Sequence, residues 1–447
     1  MGYFLPTTLK DCKSIGLVGP GKSNLGVLAH LEKANENISI IIRSKDAFSH
    51  PRYPVRCGEG YLEDIKEDAL VLSPSVRPDR PEIQAAKDRG VRILSDAEIF
   101  FTDTAARCFA VTGSDGKSTT TALLSHLLTR AMSAEVPAVG NIGRPLTPLL
   151  SLPHNNYAVE LSSFQLFHYA PRTERAVITN LTENHLNWHK GMKEYIEAKA
   201  RLYEKTREPV FSLDDEICKA LLKKDPFGVY SLRENEKNIA KCKAEFAYYI
   251  KNGQVYENGK PFLSLEYFPL SGEYNLYNLL AALTMAAGYV TRAHALCVQN
   301  FQALSHRCEK IGEIGGAVYY DSSIDSSPSR TAATLSAFSA PVILLLGGLS
   351  KGCSLDPLLS AVKEKCRAVI GFGPFGKEAC EFLDKNGYGG ILPPLKKTLA
   401  EATELAMRLA TRGDRVLLSP GATSFDEFEN FSARGEYFRH LVTDIQT

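Results

Sequence analysis

The sequence lacks three features that would place a protein in an obvious class. Lys and Arg number 52 and Asp and Glu 51, so a formal charge of +1 gives no global attraction for nucleic acid or an anionic membrane. No stretch approaches the roughly 20 apolar residues that a membrane span requires. The ten cysteines contain no CxxC pair, which favours reduced thiols over a disulfide framework or a zinc site. We therefore expect a soluble protein with no nucleic-acid partner and no membrane insertion.

The amino terminus also lacks a basic segment followed by a long apolar run, the pattern of a secretion signal, so we expect a cytoplasmic protein. At 447 residues the chain is too long for one ordinary core of about 100 to 200 residues. With 44% hydrophobic and 23% charged residues, the composition is that of a folded globular chain. Two or three domains are expected.

Short apolar strands alternate with helical patterns over the first hundred residues. Strands are predicted at 14–18, 38–42 and 69–73, with helical patterns at 25–31 and 81–89, which is typical of a parallel α/β sheet. Residues 1–98 are thus predicted to form a Rossmann-like domain. Gly19, Gly21 and Ser23 follow the first strand and are placed to bring backbone N–H groups to a phosphate. The GxGxxG pattern is incomplete there, so a plain tight turn is an equal alternative.

Two further α/β sections follow along the chain. Residues 99–303 carry predicted strands at 109–112, 157–161 and 176–180 and an antiparallel hairpin around 247–256. Residues 304–447 carry predicted strands at 317–320, 342–348, 368–373 and 415–419 between helices. The expected fold class is α/β in three domains: a Rossmann-like first domain, a central P-loop ATPase-like domain and a Rossmann-like last domain.

A phosphate-binding loop is predicted between a strand and a helix of the central section. The run Gly113-Ser-Asp-Gly-Lys-Ser-Thr follows the strand and resembles a shortened P-loop. Its glycines let backbone N–H groups surround phosphate oxygens, Lys117 neutralises phosphate charge, and the Ser118 hydroxyl is suited to Mg²⁺. We predict that the run binds ATP through Gly113, Ser114, Asp115, Gly116, Lys117, Ser118 and Thr119.

Polar side chains follow two neighbouring strands of this section. Glu160 ends one predicted strand, and His185 lies shortly after the next. Because ligands bind beyond the carboxyl ends of parallel strands, both can face the phosphates, and a carboxylate suits Mg²⁺. Taken alone, His185 is more simply explained as a structural hydrogen-bonding residue, and Trp188 and His189 are interpreted as structural.

The order of the motifs resembles one family, the Mur ligases, over essentially the whole chain. The phosphate loop is joined by Glu160-Leu-Ser-Ser-Phe-Gln, Thr182-Glu-Asn-His-Leu, Tyr195-Ile-Glu-Ala-Lys-Ala-Arg, Gly272-Glu-Tyr-Asn-Leu-Tyr-Asn, His306-Arg-Cys-Glu, Gly347-Gly-Leu-Ser-Lys-Gly and Leu418-Ser-Pro-Gly-Ala-Thr-Ser. The sequence is most similar to the family members that add D-glutamate to UDP-N-acetylmuramoyl-L-alanine in peptidoglycan synthesis.

The resemblance implies an ATP-dependent ligase. A substrate carboxylate takes the γ-phosphoryl group of ATP to give an acyl phosphate, and the amine of the incoming amino acid then displaces phosphate. It implies two Mg²⁺ sites, with Ser118, Glu160, His185 and Lys199 as the metal-binding residues. Lys199 is expected to be N-carbamylated, which turns a cation into an anionic oxygen ligand. Taken alone, this lysine is more simply explained as a solvated surface residue. Lys117, Glu160, His185 and Lys199 form the implied catalytic set.

The resemblance also implies nucleotide and substrate contacts outside these motifs. Asn275 and Asn278 correspond to adenine contacts, with helix capping as the alternative. Arg307 and Asp321 correspond to nucleotide contacts, with an exposed surface pair as the alternative. The predicted substrate-binding residues are Gly19, Gly21, Ser23, Arg43, Ser73, Asn141, Ser162, Lys351, Ser424 and Phe431. UDP-N-acetylmuramoyl-L-alanine and glutamate are the expected partners of a monomer.

One segment departs from the family pattern. After Asp321 the pattern reads Ser-Lys-Ala-Thr-Asn, whereas this chain reads Ser-Ser-Ile-Asp-Ser, so Ser323 replaces a lysine and Asp325 a threonine. A cation is lost and an anion gained near the expected amino-acid site. Addition of L-glutamate or another amino acid is therefore an alternative. A catalytically inactive nucleotide-binding regulatory subunit is a second alternative. The retention of four residues argues against it: Lys117, Glu160, His185 and Lys199.

Overall fold

The computed structural model describes residues 2–34, 37–186, 188–221, 226–234, 236–302, 304–339 and 341–444. The strands within these residues are β1 (Ser14–Val18), β2 (Ser39–Ser44), β3 (Val55–Cys57), β4 (Ala69–Leu72), β5 (Arg92–Ser95), β6 (Arg107–Thr112), β7 (Ala138–Gly140), β8 (Asn156–Glu160), β9 (Thr173–Ile178), β10 (Thr206–Ser212), β11 (Gly228–Ser231), β12 (Phe246–Lys251), β13 (Gln254–Glu257), β14 (Lys260–Ser264), β15 (Glu309–Ile314), β16 (Ala317–Asp321), β17 (Val342–Gly347), β18 (Cys366–Phe372) and β19 (Arg415–Leu418).

The α-helices in the same ranges are α1 (Lys22–Ala34), α2 (Pro81–Asp88), α3 (Asp96–Asp103), α4 (Lys117–Met132), α5 (Ser163–Leu166), α6 (Met192–Ala200), α7 (Glu216–Ala220), α8 (Glu236–Lys241), α9 (Glu273–Met285), α10 (Arg292–Ala295), α11 (Pro328–Leu335), α12 (Asp356–Lys365), α13 (Gly373–Lys385), α14 (Leu399–Leu409) and α15 (Phe431–Thr443). Short 3-10 helices span Thr7–Leu9, Thr147–Ser151, Arg201–Tyr203, Leu265–Tyr267 and Leu296–Asn300.

The first sheet is parallel and has the order β3-β2-β1-β4-β5 in the described residues. Its strands are short apolar runs such as Ala69–Leu72, all of whose residues are buried, as expected when helices cover both faces of a sheet. Strand β1 lies in the centre, and the loop after it leads into α1. The predicted Rossmann-like pattern of this section is confirmed.

The central sheet has the order β14-β13-β12-β11-β10-β9-β6-β8-β7. Pairing is parallel from β7 to β12, and β13 and β14 extend the sheet as an antiparallel meander. The predicted hairpin is confirmed, and its turn residues Asn252 and Gly253 have φ of 50° and 72°. Positive φ at both positions is the signature of a type I′ turn. Because β6 lies between β8 and β9, the loops after these three strands meet at one edge.

The last sheet has the order β15-β16-β19-β17-β18, antiparallel only between β15 and β16 among the described strands. Strand β17 is buried along its whole length, with Leu344 facing one apolar core and Leu345 facing the other. Burial on both faces is why this strand reads as a continuous apolar run.

The chain divides into two compact units, Met1–Phe268 with Tyr277–Phe301, and Pro269–Leu276 with Gln302–Thr447. The first unit holds the first two sheets and the second unit holds the last sheet. The predicted α/β class is therefore confirmed, with one sheet in each predicted domain. The boundaries 1–98, 99–303 and 304–447 stay predictions, and helix α3 (Asp96–Asp103) runs across the first of them.

Within the described ranges, none of the helices is long and apolar enough to cross a membrane. All ten cysteines are free thiols, with Cys57 and Cys353 exposed and the others buried or half-buried. Helix α6 ends at Ala200, where the chain tightens into the 3-10 turn Arg201–Tyr203.

Candidate active site

The phosphate loop connects the end of β6 to the first turn of α4. Gly113 has φ of 147° and Gly116 has φ of 79°, a backbone that side chains with a Cβ rarely adopt. A Cβ on Gly113 would lie 1.9 Å from Thr179 Oγ1, and one on Gly116 would lie 2.2 Å from Asn278 Oδ1. The glycines are therefore required both by conformation and by space, and Gly116 directly precedes the α4 N-terminus, where N–H groups attract anions.

Two residues after β9 hold this loop in place. Asn180 Oδ1 accepts from Asp115 N at 2.9 Å, and Asn180 Nδ2 donates to Asp115 O at 3.1 Å. The Thr179 hydroxyl donates to the same carbonyl at 2.5 Å. Sequence reasoning missed both residues, because only the pairing of β9 with β6 brings them to the loop.

The remaining loop residues are tied down by side-chain hydrogen bonds. Lys117 Nζ donates to Ser114 O at 2.8 Å, so its ammonium curls back over the loop. The Ser114 hydroxyl lies 2.9 Å from Tyr195 OH and donates to Thr182 O at 2.9 Å. Ser118 and Thr119 are both 8% exposed at the start of α4.

Glu160 is the buried end of β8 and lies in register with Val111, two residues before the phosphate loop. Its Oε1 accepts from Asn141 Nδ2 at 2.7 Å. Its Oε2 is buried and has no hydrogen-bond partner among the described residues. A buried carboxylate oxygen without a donor is costly unless a cation approaches it. The site therefore fits Mg²⁺, which prefers such oxygens.

Lys199 on α6 is 2% exposed and lies against the same loop. Its Nζ donates to Gly113 O at 2.8 Å and to Thr112 Oγ1 at 3.3 Å, and it lies 4.8 Å from the centre of the Tyr195 ring. Burial lowers the pKa of the Lys199 amine well below its usual range, and the positive charge of Lys117 lowers it further. A solvated surface lysine is thereby ruled out.

His185 lies in the loop after β9 and is exposed. Its φ of 55° is left-handed, and its ring packs edge-on against Phe164 at 4.9 Å between centroids. Its carbonyl accepts from the backbone N–H groups of Trp188 and His189, both at 3.0 Å. His189 is buried, bonds the Ser163 hydroxyl at 2.9 Å and stacks on Phe164.

Ser162, Asn275 and Asn278 have structural hydrogen bonds. Ser162 is the N-cap of α5 and forms a capping box with Gln165. Asn275 Nδ2 donates to Ser271 O at 2.7 Å across the start of α9, and Asn278 Oδ1 accepts from Thr120 Oγ1 at 3.2 Å. Asn278 thus borders the phosphate loop, while Asn275 belongs to the other compact unit.

At the end of β1, Gly19, Gly21 and Ser73 lie together. Gly19 has φ of 82°. A Cβ on Gly19 would lie 2.8 Å from Ser73 Cβ, and a Cβ on Gly21 would lie 3.3 Å from Ser73 Oγ. Ser23 is half-buried in the first turn of α1. Next to it, Asn24 Nδ2 donates to the carbonyls of Val18, Gly19 and Val71, a loop-holding role that the sequence did not reveal.

The prediction that Arg43 contacts the substrate is wrong for this arrangement. The side chain is buried, and its five N–H donors are used inside the first unit. Nε and Nη2 donate to Glu67 at 2.6 and 3.0 Å, Nη1 donates to the Tyr61 and Glu63 carbonyls, and Nη2 also donates to the Asp64 carbonyl. No donor is left for a ligand, so Arg43 is a structural cation.

The second unit carries the remaining predicted residues. Asp321 is fully buried at the end of β16, where its Oδ2 lies 2.6 Å from His306 Nδ1. This hydrogen bond raises the pKa of His306. His306 is part of a family motif in the sequence, but no role was predicted for it. Arg307 is half-buried beside it, Ser424 is buried, and the exposed Phe431 packs edge-on against His306 at 6.2 Å. Because Asp321 is buried, the alternative that Arg307 and Asp321 form an exposed surface pair is excluded.

Comparison with known proteins decides the family. Residues 111–286 match the family described as Mur ligase middle domain. The chain is 34% identical over 453 residues to the UDP-N-acetylmuramoylalanine--D-glutamate ligase of Clostridium perfringens, covering 97% of each chain. It is 33% identical over 450 residues to the ligase of the same name from Symbiobacterium thermophilum, covering 95% of this chain and 97% of the relative. The chain belongs to the Mur ligase family.

Solved structures agree on the fold of this Mur ligase. UDP-N-acetylmuramate-alanine ligase MurC from Thermotoga maritima superposes with a TM-score of 0.63 at 18% identity, covering 97% of this chain and 99% of that one. MurF from Acinetobacter baumannii gives a TM-score of 0.59 at 16% identity, covering 97% and 93%. The resemblance inferred from the motifs and the assignment to the ligases are confirmed.

Proposed function

We propose that this Mur ligase joins glutamate to UDP-N-acetylmuramoyl-L-alanine in peptidoglycan synthesis, using ATP and Mg²⁺ and releasing ADP and phosphate. The observation that carries the proposal is the similarity over 97% of the chain to ligases named for that reaction. The loop geometry supports it because the turn from Gly113 to Ser118 suits a phosphate and lies beside Glu160, whose buried Oε2 has no donor among the described residues.

The phosphoryl-transfer part of the reaction falls to the phosphate loop. The α4 N-terminus and Lys117 offset the negative charge of the phosphates, and no protein nucleophile is needed. Glu160 and Ser118 would hold one Mg²⁺, and His185 and Lys199 a second. When bound, the metal supplies positive charge to the phosphate oxygens. The substrate carboxylate attacks the γ-phosphorus and displaces ADP. The amine of glutamate then attacks the carbonyl carbon of the acyl phosphate, expels phosphate and loses a proton.

Lys199 takes part as a carbamate in this proposal. As an ammonium it would repel Mg²⁺, whereas reaction of the neutral amine with CO₂ gives an anionic oxygen donor. Its burial next to Lys117 disfavours the ammonium, which supports carbamylation. We expect Lys199→Ala to lose most activity and to regain part of it with added short carboxylates. Full activity of the variant would remove the carbamate from the mechanism.

The predicted nucleotide and substrate contacts complete the proposal. Asn275, Asn278, Arg307 and Asp321 serve ATP, and Gly19, Gly21, Ser23 and Ser73 serve the UDP end. Asn141 and Ser162 border Glu160 and α5, on the side of the muramoyl substrate. Lys351, Ser424 and Phe431 serve the amino acid. In this division of labour, the domains 1–98, 99–303 and 304–447 bind the UDP substrate, ATP with metals, and the amino acid.

Phosphate release measured with UDP-N-acetylmuramoyl-L-alanine and each amino acid in turn tests the proposal. We expect release with D-glutamate, dependent on ATP and Mg²⁺. Release with L-glutamate or another amino acid instead would replace the named substrate. No release with any amino acid, under conditions in which an authentic ligase of this type is active, would leave a nucleotide-binding protein without ligase activity.

A further inference from the structure

Arg77 lies in the loop between β4 and α2 and contacts the loop after β9, and both loops belong to the first compact unit. Its guanidinium carbon lies 4.8 Å from the centre of the Phe167 ring and 4.7 Å from the centre of the Trp188 ring. Its Nη1 donates to the Trp188 carbonyl, and the Trp188 indole N–H donates to Ser75 O at 3.1 Å. The two loops are therefore joined by a cation packed against aromatic rings and by two hydrogen bonds.

Two carboxylates fix the orientation of the Arg77 guanidinium. Nε and Nη2 donate to the two oxygens of Asp79, both at 2.8 Å. Nη1 and Nη2 donate to the two oxygens of Glu194 on α6, at 3.1 and 3.0 Å. Lys190 also binds both carboxylates, with Nζ donating to Asp79 and the backbone N–H donating to Glu194, each at 2.8 Å. Because two bidentate pairs define the plane of the guanidinium, its position against Trp188 is fixed.

Trp188 in turn constrains the backbone of His185. The Trp188 N–H donates to His185 O at 3.0 Å, and the Phe164 ring contacts both side chains, at 4.9 Å from the His185 ring and 4.7 Å from the Trp188 ring. The φ of His185 is 55°, in the left-handed region that is unfavourable for a residue with a Cβ. Such a conformation persists where the surrounding contacts hold it. The contacts of Arg77 with Trp188 are thus one source of that support.

We propose that Arg77 is a positioning residue that acts through Trp188 to hold His185 in place for the second Mg²⁺. The inference rests on the proposed function, in which His185 and Lys199 hold this ion, and it adds a residue that contacts neither the ion nor a substrate. The loop that carries Arg77 begins with Ser73, a proposed contact of the UDP substrate. One loop therefore serves the substrate at its start and supports the metal site further along.

The first test is the Mg²⁺ dependence of phosphate release by Arg77→Gln. Glutamine keeps a side-chain donor but removes the charge and the planar fork. We expect the Mg²⁺ concentration for half-maximal activity to rise about tenfold, as for other residues that support a metal ligand from outside. At saturating Mg²⁺, kcat and the KM for glutamate should stay within about twofold of the wild type. Arg80→Gln is the matched control, because Arg80 lies in the same loop and contacts Tyr61 and Glu82 instead.

The second test measures Mg²⁺ binding without turnover. Trp188 is the only tryptophan of the chain, so intrinsic tryptophan fluorescence reports on this contact alone. Mg²⁺ is titrated into the protein in the presence of ADP and UDP-N-acetylmuramoyl-L-alanine, with no amino acid added. We expect the Trp188 emission to change with Mg²⁺ in the wild type. The midpoint of that change should rise about tenfold in Arg77→Gln and stay unchanged in Arg80→Gln.

A second variant keeps the tests decisive if Arg77→Gln does not fold. Arg77→Lys retains a charge beside Asp79 and Glu194 but lacks the planar fork, so we expect both Mg²⁺ midpoints to rise at least threefold. Equal midpoints in an active wild type and a folded Arg77 variant, or a Trp188 emission that does not respond to Mg²⁺, refute this inference alone. An activity lowered by the same factor at every Mg²⁺ concentration makes Arg77 a structural residue and also refutes it. A wild type that releases no phosphate with any amino acid refutes the proposed function and this inference with it.

Discussion

The buried pair of Arg43 and Glu67 provides a quantitative test of the correction made above. Their side chains are 3% and 2% exposed, and Arg43 also donates to three backbone carbonyls. Arg43→Met removes these donors and leaves the Glu67 carboxylate buried beside apolar atoms. Breaking a buried pair in this way costs about 3 to 5 kcal/mol. For a cooperative unit of this size, each kcal/mol of lost stability lowers the melting temperature by roughly 2 °C. We therefore expect the melting temperature of Arg43→Met to fall by about 6 to 10 °C.

The pH dependence of this loss has a defined sign. In the wild type, burial raises the pKa of Glu67, but the hydrogen bonds from Arg43 and the backbone outweigh burial and lower it below its ordinary value. The pair therefore stabilises the fold above the ordinary glutamate pKa of about 4.5, and this stability is lost as the pH falls through the lowered value. In Arg43→Met the raising effect of burial remains, and only the backbone N–H groups of Lys66 and Glu67 still lower the pKa of Glu67. The difference between the two proteins should thus be largest at neutral pH and shrink towards pH 4.

Thermal unfolding followed by circular dichroism at pH 7 and pH 4 measures this difference, with phosphate release at permissive temperature as the second readout. The double variant Arg43→Met with Glu67→Leu is the control, because removing both charges leaves no unpaired ion and should recover much of the lost stability. A melting temperature unchanged by Arg43→Met, combined with a raised KM for the UDP substrate, would refute the reasoning and restore Arg43 as a substrate contact.

Two further predictions concern the central section. Gly116→Ala should raise the KM for ATP more than tenfold, because its Cβ would displace the Asn278 amide; Gly253→Ala, with φ of 72° and no atom within 4 Å of its Cβ, should leave that KM unchanged. Hydrogen bonds from Arg77 lower the pKa of Glu194 to about 2. The ionised Glu194 therefore stabilises the fold above its ordinary pKa of about 4.5, and this stabilisation is lost as the pH falls towards 2. We expect the melting temperature of Glu194→Gln to change less between pH 5 and pH 3 than that of the wild type.

The order of strands along the chain was predictable because apolar periodicity is local. The phosphate loop was equally predictable, because its glycines are required by positive φ angles that are set within a few residues of the chain. Asn180 and Tyr195 were not found, because each acts on the loop from an element that only the fold brings near. Their partners are 65 and 81 residues away in the chain, and no local pattern records such a contact.

Arg43 and Glu160 show how two buried charged residues at similar places in a sheet can differ in their hydrogen bonds. Both lie at or near the carboxyl end of a parallel strand, so the rule that ligands bind there selects both of them. Both are buried, and burial of a charge requires partners. Arg43 has a partner for each of its donors, whereas Oε2 of Glu160 has none among the described residues. Position in the sheet therefore predicts the edge where ligands bind, and an unsatisfied buried atom at that edge, such as Oε2 of Glu160, makes its residue the better candidate for a ligand contact.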